Sequence, residues 1–226
     1  MGSKKIICEN TESIEIIETS RKGDDEFSIT PIIKKNKIKK MIINKNKIFA
    51  ENLDFLSYDT HKYHYLYDRK ENYRLLTFLA KTNDNITILD VGTAAGHSCL
   101  ALAQNKNNKV ISYDILEREI PFLDVYKNIT FKKMDINYED PSVLKEAKII
   151  FLDIDPHDGI QEKKFTDFLD SIDYKGYVIC DDINLNDGMI DWWKKIKHEK
   201  YDLTEFAHWS GTGLINYNND KNLIIE

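Results

Sequence analysis

The sequence predicts an α/β protein whose parallel sheet is covered by helices on both faces, preceded by a small β-rich N-terminal extension. Two patterns lead there. From about residue 58 onward, apolar strand-like runs alternate with helical stretches. Residues 1–57 instead carry short alternating runs, IEIIE at 14–18 and IKKMIINKNKIF at 38–49, separated by the turn-forming clusters Lys22-Gly23-Asp24-Asp25 and Asn44-Lys45-Asn46. Charge separates much the same two parts: residues 1–60 hold 11 basic and 10 acidic groups, and the remaining 21 and 28 leave residues 61–226 at −7. The expected division is therefore 1–57 and 58–226.

Within the second part, Asp68-Arg69-Lys70-Glu71 reads as an N-cap followed by a capping-box Glu, opening a helix through about Lys81. Strands are expected at 86–91, 109–113, 129–133, 148–153 and 176–181. Helices fall between and after them at 97–104, at 140–147 with Pro141 in the first turn, at 160–171 and at 187–197. The end, YDLTEFAHWSGTGLINYN, reads as two final strands joined around Gly211.

Composition excludes several classes. Length and a 42% hydrophobic content suit one ordinary domain with an appendage. Cys8, Cys99 and Cys180 are odd in number and form no C-x-x-C pair, which excludes a disulfide framework and a cysteine zinc site and points to the reduced cytoplasm. No apolar run approaches the roughly 18 residues of a membrane span, and MGSKKIICEN lacks the apolar stretch of a signal peptide. The net charge, 32 − 38 = −6, argues against a strongly basic nucleic-acid binder.

The segment Ile88-Leu89-Asp90-Val91-Gly92-Thr93-Ala94-Ala95-Gly96-His97-Ser98 runs from a buried strand through two glycines into a helix. Gly permits a tight turn and close backbone approach, and a helix start offers free N–H groups to an anionic part of a ligand. The spacing is G-x-x-x-G rather than the G-x-G-x-x-G of a dinucleotide fold, which counts against NAD. Asp114 ends the next strand, where a carboxylate can accept both hydroxyls of a ribose, and Asp135 follows the third, placed to receive an exocyclic amine such as that of adenine. Solvated strand ends around a plain turn would use the same residues.

Phe151-Leu152-Asp153-Ile154-Asp155-Pro156-His157-Asp158 ends the fourth strand, and Cys180-Asp181-Asp182-Ile183-Asn184 the fifth. Adjacent strands lie about 4.8 Å apart, so these edges bring several carboxylates into a small volume. Unpaired, they would raise one another's pKa, and a hard divalent cation resolves the conflict. Mg²⁺ fits best, with Mn²⁺ or Ca²⁺ as substitutes. Asp155 could support the others or cap a helix.

Asp90 to Ser98 resembles the first motif of class I S-adenosylmethionine-dependent methyltransferases, and G-x-x-x-G-[HY]-S is closest to the catechol and caffeoyl-CoA O-methyltransferase group. The resemblance spans roughly residues 60–217. It implies a Rossmann-like methyltransferase sheet of seven strands with the last antiparallel, which the terminal hairpin matches. It further implies that Gly92, Thr93 and Gly96, with Asp90, lie against the methionine part of S-adenosylmethionine, that Ser98 binds its carboxylate, and that Asp114 and Asp135 hold the ribose and adenine. The family's metal ligands match Asp153, Asp181 and Asp182, and the Asp-Asp pair also resembles macrolide-sugar O-methyltransferases. The sequence departs from the family at Pro156, where phenol-type enzymes carry a Lys base. His157 is then the candidate base, since its reference pKa of about 6.5 suits proton abstraction near neutrality, with Asp153 as the other.

His208-Trp209-Ser210-Gly211-Thr212-Gly213 could reach an acceptor or simply make the hairpin, His97 and the Trp192-Trp193 pair read as packing, and Tyr63, Tyr65 and Tyr67 could cover the cofactor or form an edge strand. Residues 34–47 hold seven lysines and no acid, a strip that could take RNA phosphate or an acidic second copy in a homodimer. Lys, Ile and Asn together make up 78 residues of this chain, however, so a lysine run is weak evidence here, and the strip lacks Arg and aromatic interleaving. The expected function is a metal-assisted O-methyltransferase acting on the hydroxyl of a small molecule or sugar, with no membrane partner. The alternatives are a cofactor-binding scaffold without turnover and an RNA methyltransferase.

Overall fold

A computed structural model describes residues 5–10, 13–22, 26–33, 41–59, 71–120, 123–218 and 223–226. Backbone contacts divide the chain into two units, Met1–Met41 and Ile42–Glu226. The first is an antiparallel sheet in the order β1 (Lys5–Asn10), β2 (Ser13–Lys22), β3 (Glu26–Ile33). Its strands are rich in β-branched residues, with Ile7 paired to Ile16 and Ile16 to Ile32. Pro31 is tolerated because β3 is an edge strand. The turn residues Gly23, Asp24 and Asp25 lie outside the described residues, as do Lys34–Lys40, most of the basic strip.

The division falls earlier than residue 57 because the next segment packs into the second unit. Strand β4 (Met41–Ile43) pairs with β12 (Leu223–Ile225), and the backbone bonds Glu226 N to Ile43 O and Lys45 N to Glu226 O close the pairing, each at 2.8 Å. The expected strand does not continue to residue 49. Asn44 caps helix α1 (Lys45–Phe49), its side chain accepting from Lys47 N at 3.0 Å, and so starts a helix where a turn was expected. Alternation in KNKIF left one apolar anchor, Ile48, which is buried on the helix.

Helix α2 (Glu71–Thr82) buries Leu75, Leu76, Phe78 and Leu79 at helical spacing. The residues expected to cap it, Asp68 to Lys70, and Tyr63, Tyr65 and Tyr67 lie outside the described residues. The main sheet comprises β5 (Thr87–Val91), β6 (Lys109–Asp114), β7 (Ile129–Lys133), β8 (Ala147–Leu152), β9 (Tyr177–Cys180), β10 (Glu199–Asp202) and β11 (Gly213–Asn216). Their order is β10-β11-β9-β8-β5-β6-β7, and β11 runs antiparallel to both its neighbours while β5 to β9 are mutually parallel. This is the Rossmann-like seven-stranded sheet expected, with the last strand inserted beside β9.

Helices α3 (His97–Leu102), α4 (Pro141–Glu146), α5 (Ile160–Ser171) and α6 (Asp187–Lys195) make the connections. Central strands β5 and β8 are near-continuous apolar runs because both faces are covered: Ile88, Leu89, Ile149, Ile150 and Phe151 are all buried. Trp192 is core, and Cys99 and Cys180 are free thiols buried in the fold. Among the described residues no helix is long and apolar enough to cross a membrane. Strand order reverses between β5 and β8, and open α/β sheets bind ligands at the carboxyl ends of strands at such a switch point.

Candidate active site

The glycine loop opens from β5 directly onto the edge of β8. Asp153 N donates to Val91 O at 2.9 Å, and Gly92 N and Thr93 N donate to Tyr113 O of β6 at 2.9 and 3.0 Å. Gly92 has φ +96°, and a Cβ there would lie 1.6 Å from the Asp153 carbonyl oxygen. The missing side chain therefore makes room for the strand edge that carries Asp153. Gly96 (φ +87°) then leads into α3. Asp90 is fully buried, with Oδ2 accepting from Ser112 Oγ and Oδ1 without a partner. Burial pushes its pKa up to about 6 against the hydroxyls of Ser112, Ser98 and Thr93.

Asp114, at the end of β6, is a filled acceptor. Its Oδ2 takes Ala94 N at 3.0 Å and Arg118 Nε at 2.7 Å, and its Oδ1 takes Leu116 N at 2.8 Å. The Ala94 bond ties it to the glycine loop. Asp135 follows β7 and caps a short 3₁₀ turn, accepting from Asn137 N at 2.9 Å, with Lys164 Nζ 3.7 Å from its other oxygen. Asp90, Asp114 and Asp135 thus line the edge of three adjacent strands, but Asp114 and Asp135 already hold protein donors.

The second cluster gathers at the ends of β8 and β9. Asp181 N donates to Leu152 O at 2.9 Å, which sets Asp153 beside Asp181 and Asp182. The hairpin loop 208–212 docks on the same edge through Ile183 N to Gly211 O (3.1 Å) and Asn184 N to Ser210 O (2.9 Å). Gly211 (φ +104°) permits this approach, since a Cβ would come within 2.7 Å of Asn184 N. The docking delivers His208, whose Nδ1 lies 3.2 Å from Asp181 Oδ1, 2.7 Å from Ser210 Oγ and 3.6 Å from Asp182 Oδ1. Ser210 and Asp181 meet the same ring nitrogen, so this is no Ser-His-Asp relay, which needs the two opposite nitrogens.

Charge is distributed unevenly in the cluster. Burial, then the charges of Asp181, Asp182 and Asp90, raise the Asp153 pKa well above the carboxylate range. Asp181 is raised chiefly by burial, against its bond to His208. Asp182 stays low because bonds from His208 and Ser210 and the His157 charge outweigh its burial. The two acids outweigh burial at His208 and push it up to about 10, so it is an imidazolium near neutrality. His157, with φ +56°, places Nε2 3.3 Å from Asp155 Oδ1 and 3.9 Å from Asp153 Oδ1, and Nδ1 3.6 Å from Asp182 Oδ2. Its carbonyl accepts from Asn186 Nδ2 at 2.7 Å, and Asn186 also caps α6.

Three members of this cluster were missed by sequence reasoning in these roles. Asn72 of α2 donates to Asp181 Oδ2 at 3.0 Å across 109 residues of sequence. His208 and Ser210 were legible only as part of a turn-rich loop. No local signal marks Asn72; for His208 the signal was the polar run around Gly211 in a hairpin that must return to the strand carrying Asp181. Trp209 of the same loop is 59% exposed beside the His208 ring.

Neither a protein-family model nor a curated protein matches the sequence. Among solved structures, the chain is similar to a SAM-dependent O-methyltransferase from Thermotoga maritima, at TM-score 0.48 and 16% identity over 66% of this chain and 65% of that one, so it spans just under two thirds of that protein. It is also similar to the O-methyltransferase TomG from Streptomyces achromogenes, involved in tomaymycin synthesis and solved with SAM (TM-score 0.47, 16% identity, 65% of this chain and 79% of that one). A third is the O-methyltransferase from Bacillus cereus in complex with SAH (TM-score 0.46, 14% identity, 64% and 80%).

Proposed function

We propose that this chain is an S-adenosylmethionine-dependent O-methyltransferase, assisted by a divalent cation, that acts on a hydroxyl of a small molecule or sugar. The observation that carries the reading is the junction at Gly92, where the glycine loop and the Asp153 edge meet at the switch point of the sheet. A methyl donor on the loop and a hydroxyl at the acids would be neighbours there. Ile42–Glu226 would form the catalytic unit and the residues before it an appendage.

The residues present fit both groups. Asp90 Oδ1 is a buried acceptor without a donor, suited to the ammonium end of an amino acid. The carboxylates of Asp153, Asp181 and Asp182 are hard oxygen donors, and the charges of the latter two add to burial in raising the pKa of Asp153. When bound, the cofactor would supply the methyl group, and a cation held at the cluster of Asp153, Asp181 and Asp182 would acidify the acceptor hydroxyl. Gly92, Thr93, Gly96 and Ser98 would seat the methionine part, Asp114 the ribose after exchanging Arg118 for hydroxyl donors, and Asp135 the adenine edge. His157, or Asp153 in its place, would accept the hydroxyl proton as the O–CH₃ bond forms and the S–CH₃ bond breaks. Holding the oxygen in line with the departing sulfur is the remaining contribution of the site.

Methyl transfer from labelled S-adenosylmethionine to catechols and vicinal-diol sugars tests this reading. Transfer that stops with EDTA and returns with Mg²⁺ or Mn²⁺ is the expected result. Transfer indifferent to EDTA would remove the cation, and none to any acceptor would favour a scaffold.

A further inference from the structure

The oxygens of the acid cluster are not equivalent. Asp181 is occupied on both: Oδ1 accepts from Asp182 N at 2.9 Å and faces His208, and Oδ2 accepts from Asn72 at 3.0 Å. Asp182 has Oδ1 held by Ser210, while its Oδ2 has no hydrogen bond among the described residues and faces His157 Nδ1 at 3.6 Å. Asp153 accepts no hydrogen bond on either oxygen among the described residues and faces His157 Nε2 at 3.9 Å. One donor atom from each of Asp153, His157 and Asp182 falls within 4.8 Å of the others. Donors bonded at about 2.1 Å to one ion stand about 3 to 4 Å apart, so small side-chain shifts would close this set.

One buried carboxylate near this set lacks a hydrogen-bond partner on both oxygens. Glu162 of α5 is 2% exposed with neither oxygen hydrogen-bonded, and it lies within electrostatic range of His157. A buried carboxylate without a hydrogen-bond partner favours positive charge nearby.

Building on the reading above, we propose that the direct donors to the cation are Asp153, His157 and Asp182 Oδ2, and that Asp181, His208, Asn72 and Ser210 form the bracket that holds Asp182 in place. Asp181, expected from sequence as a ligand, becomes a positioning residue. The imidazole donor selects Mn²⁺ and its transition-metal neighbours over Mg²⁺ and Ca²⁺. His157 then leaves the set of proton acceptors, and Asp153 remains.

Pulsed electron paramagnetic resonance of Mn²⁺ bound to the full chain reads this without turnover. Nitrogen modulation from one histidine is expected in the wild type, lost in His157→Ala and retained in His208→Gln. Calorimetry should show the Mn²⁺ dissociation constant rising by at least about tenfold in His157→Ala. His157→Gln, which keeps size and polarity, repeats the loss should the alanine variant unfold. Modulation that survives both His157 changes, that disappears with His208, or an absence of Mn²⁺ binding overturns the assignment. S-adenosylmethionine binding is measured separately, so failure of the metal set and failure of the methyltransferase reading are distinguishable.

Discussion

Gly92→Ala is expected to destabilise the α/β unit severely. The residue sits at φ +96°, a region that costs an L side chain about 1–2 kcal/mol, and the added Cβ would meet the Asp153 carbonyl oxygen at 1.6 Å. That oxygen belongs to backbone pinned by Asp153 N to Val91 O, so neither chain can yield without breaking the β5 and β8 edge. A loss of more than about 4 kcal/mol follows, against a typical domain stability of about 5–15 kcal/mol. Gly96→Ala, which bears a similar φ of +87°, provides the comparison and should cost about 1–2 kcal/mol. Urea denaturation of both variants checks this; near wild-type stability for Gly92→Ala would contradict the close approach that joins the two halves of the site.

His208→Ala should cost the cation-free chain about 3 kcal/mol near neutral pH, because Asp181 and Asp182 lose the charge that compensates them. The sign with pH is fixed by the direction of the shift. His208 has its pKa raised from 6.5 to about 10 on folding, so its contribution is complete below about pH 6.5 and is lost as pH rises through about 10. Asp153 and Asp181, also raised, lower stability in the same sense as they ionise, so the His208 share is read from the difference between wild type and variant. Thermal melts in EDTA from pH 6 to 10.5 should show that difference shrinking toward the alkaline end. A constant difference would mean that His208 acts through packing rather than charge.

What was legible in the sequence follows from locality. The strands β5, β6, β8 and β9 announced themselves because each is a short, largely apolar run between turn-forming residues, and the loop Asp90 to Gly96 because glycine at fixed spacing has a backbone meaning. Asp153, Asp181 and Asp182 were brought together by strand spacing alone. Lys45–Phe49 was misread because five residues hold too few apolar positions to separate a period of two from one of 3.6; the Asn44 cap decided it. The bonds of Asn72 and His208 to Asp181 were illegible because they span 109 and 27 residues and depend on how α2 and the hairpin loop close over the sheet. Nor could the sequence say that Asp114 already holds Arg118 and Ala94, or that the oxygens of Asp181 are filled before any ligand arrives.

The filled state of Asp114 makes it the most informative position for the central claim, that the strand edge at Gly92 is a cofactor site. On the proposed reading, ribose hydroxyls would take the place of the Arg118 guanidinium on Oδ2, while the Ala94 bond would keep the loop in register. Isothermal calorimetry of the full chain with S-adenosylmethionine measures this directly. A dissociation constant on the order of micromolar, weakened at least about tenfold by Asp114→Ala, is the predicted result. No binding to the wild type, or binding indifferent to Asp114→Ala, would contradict it.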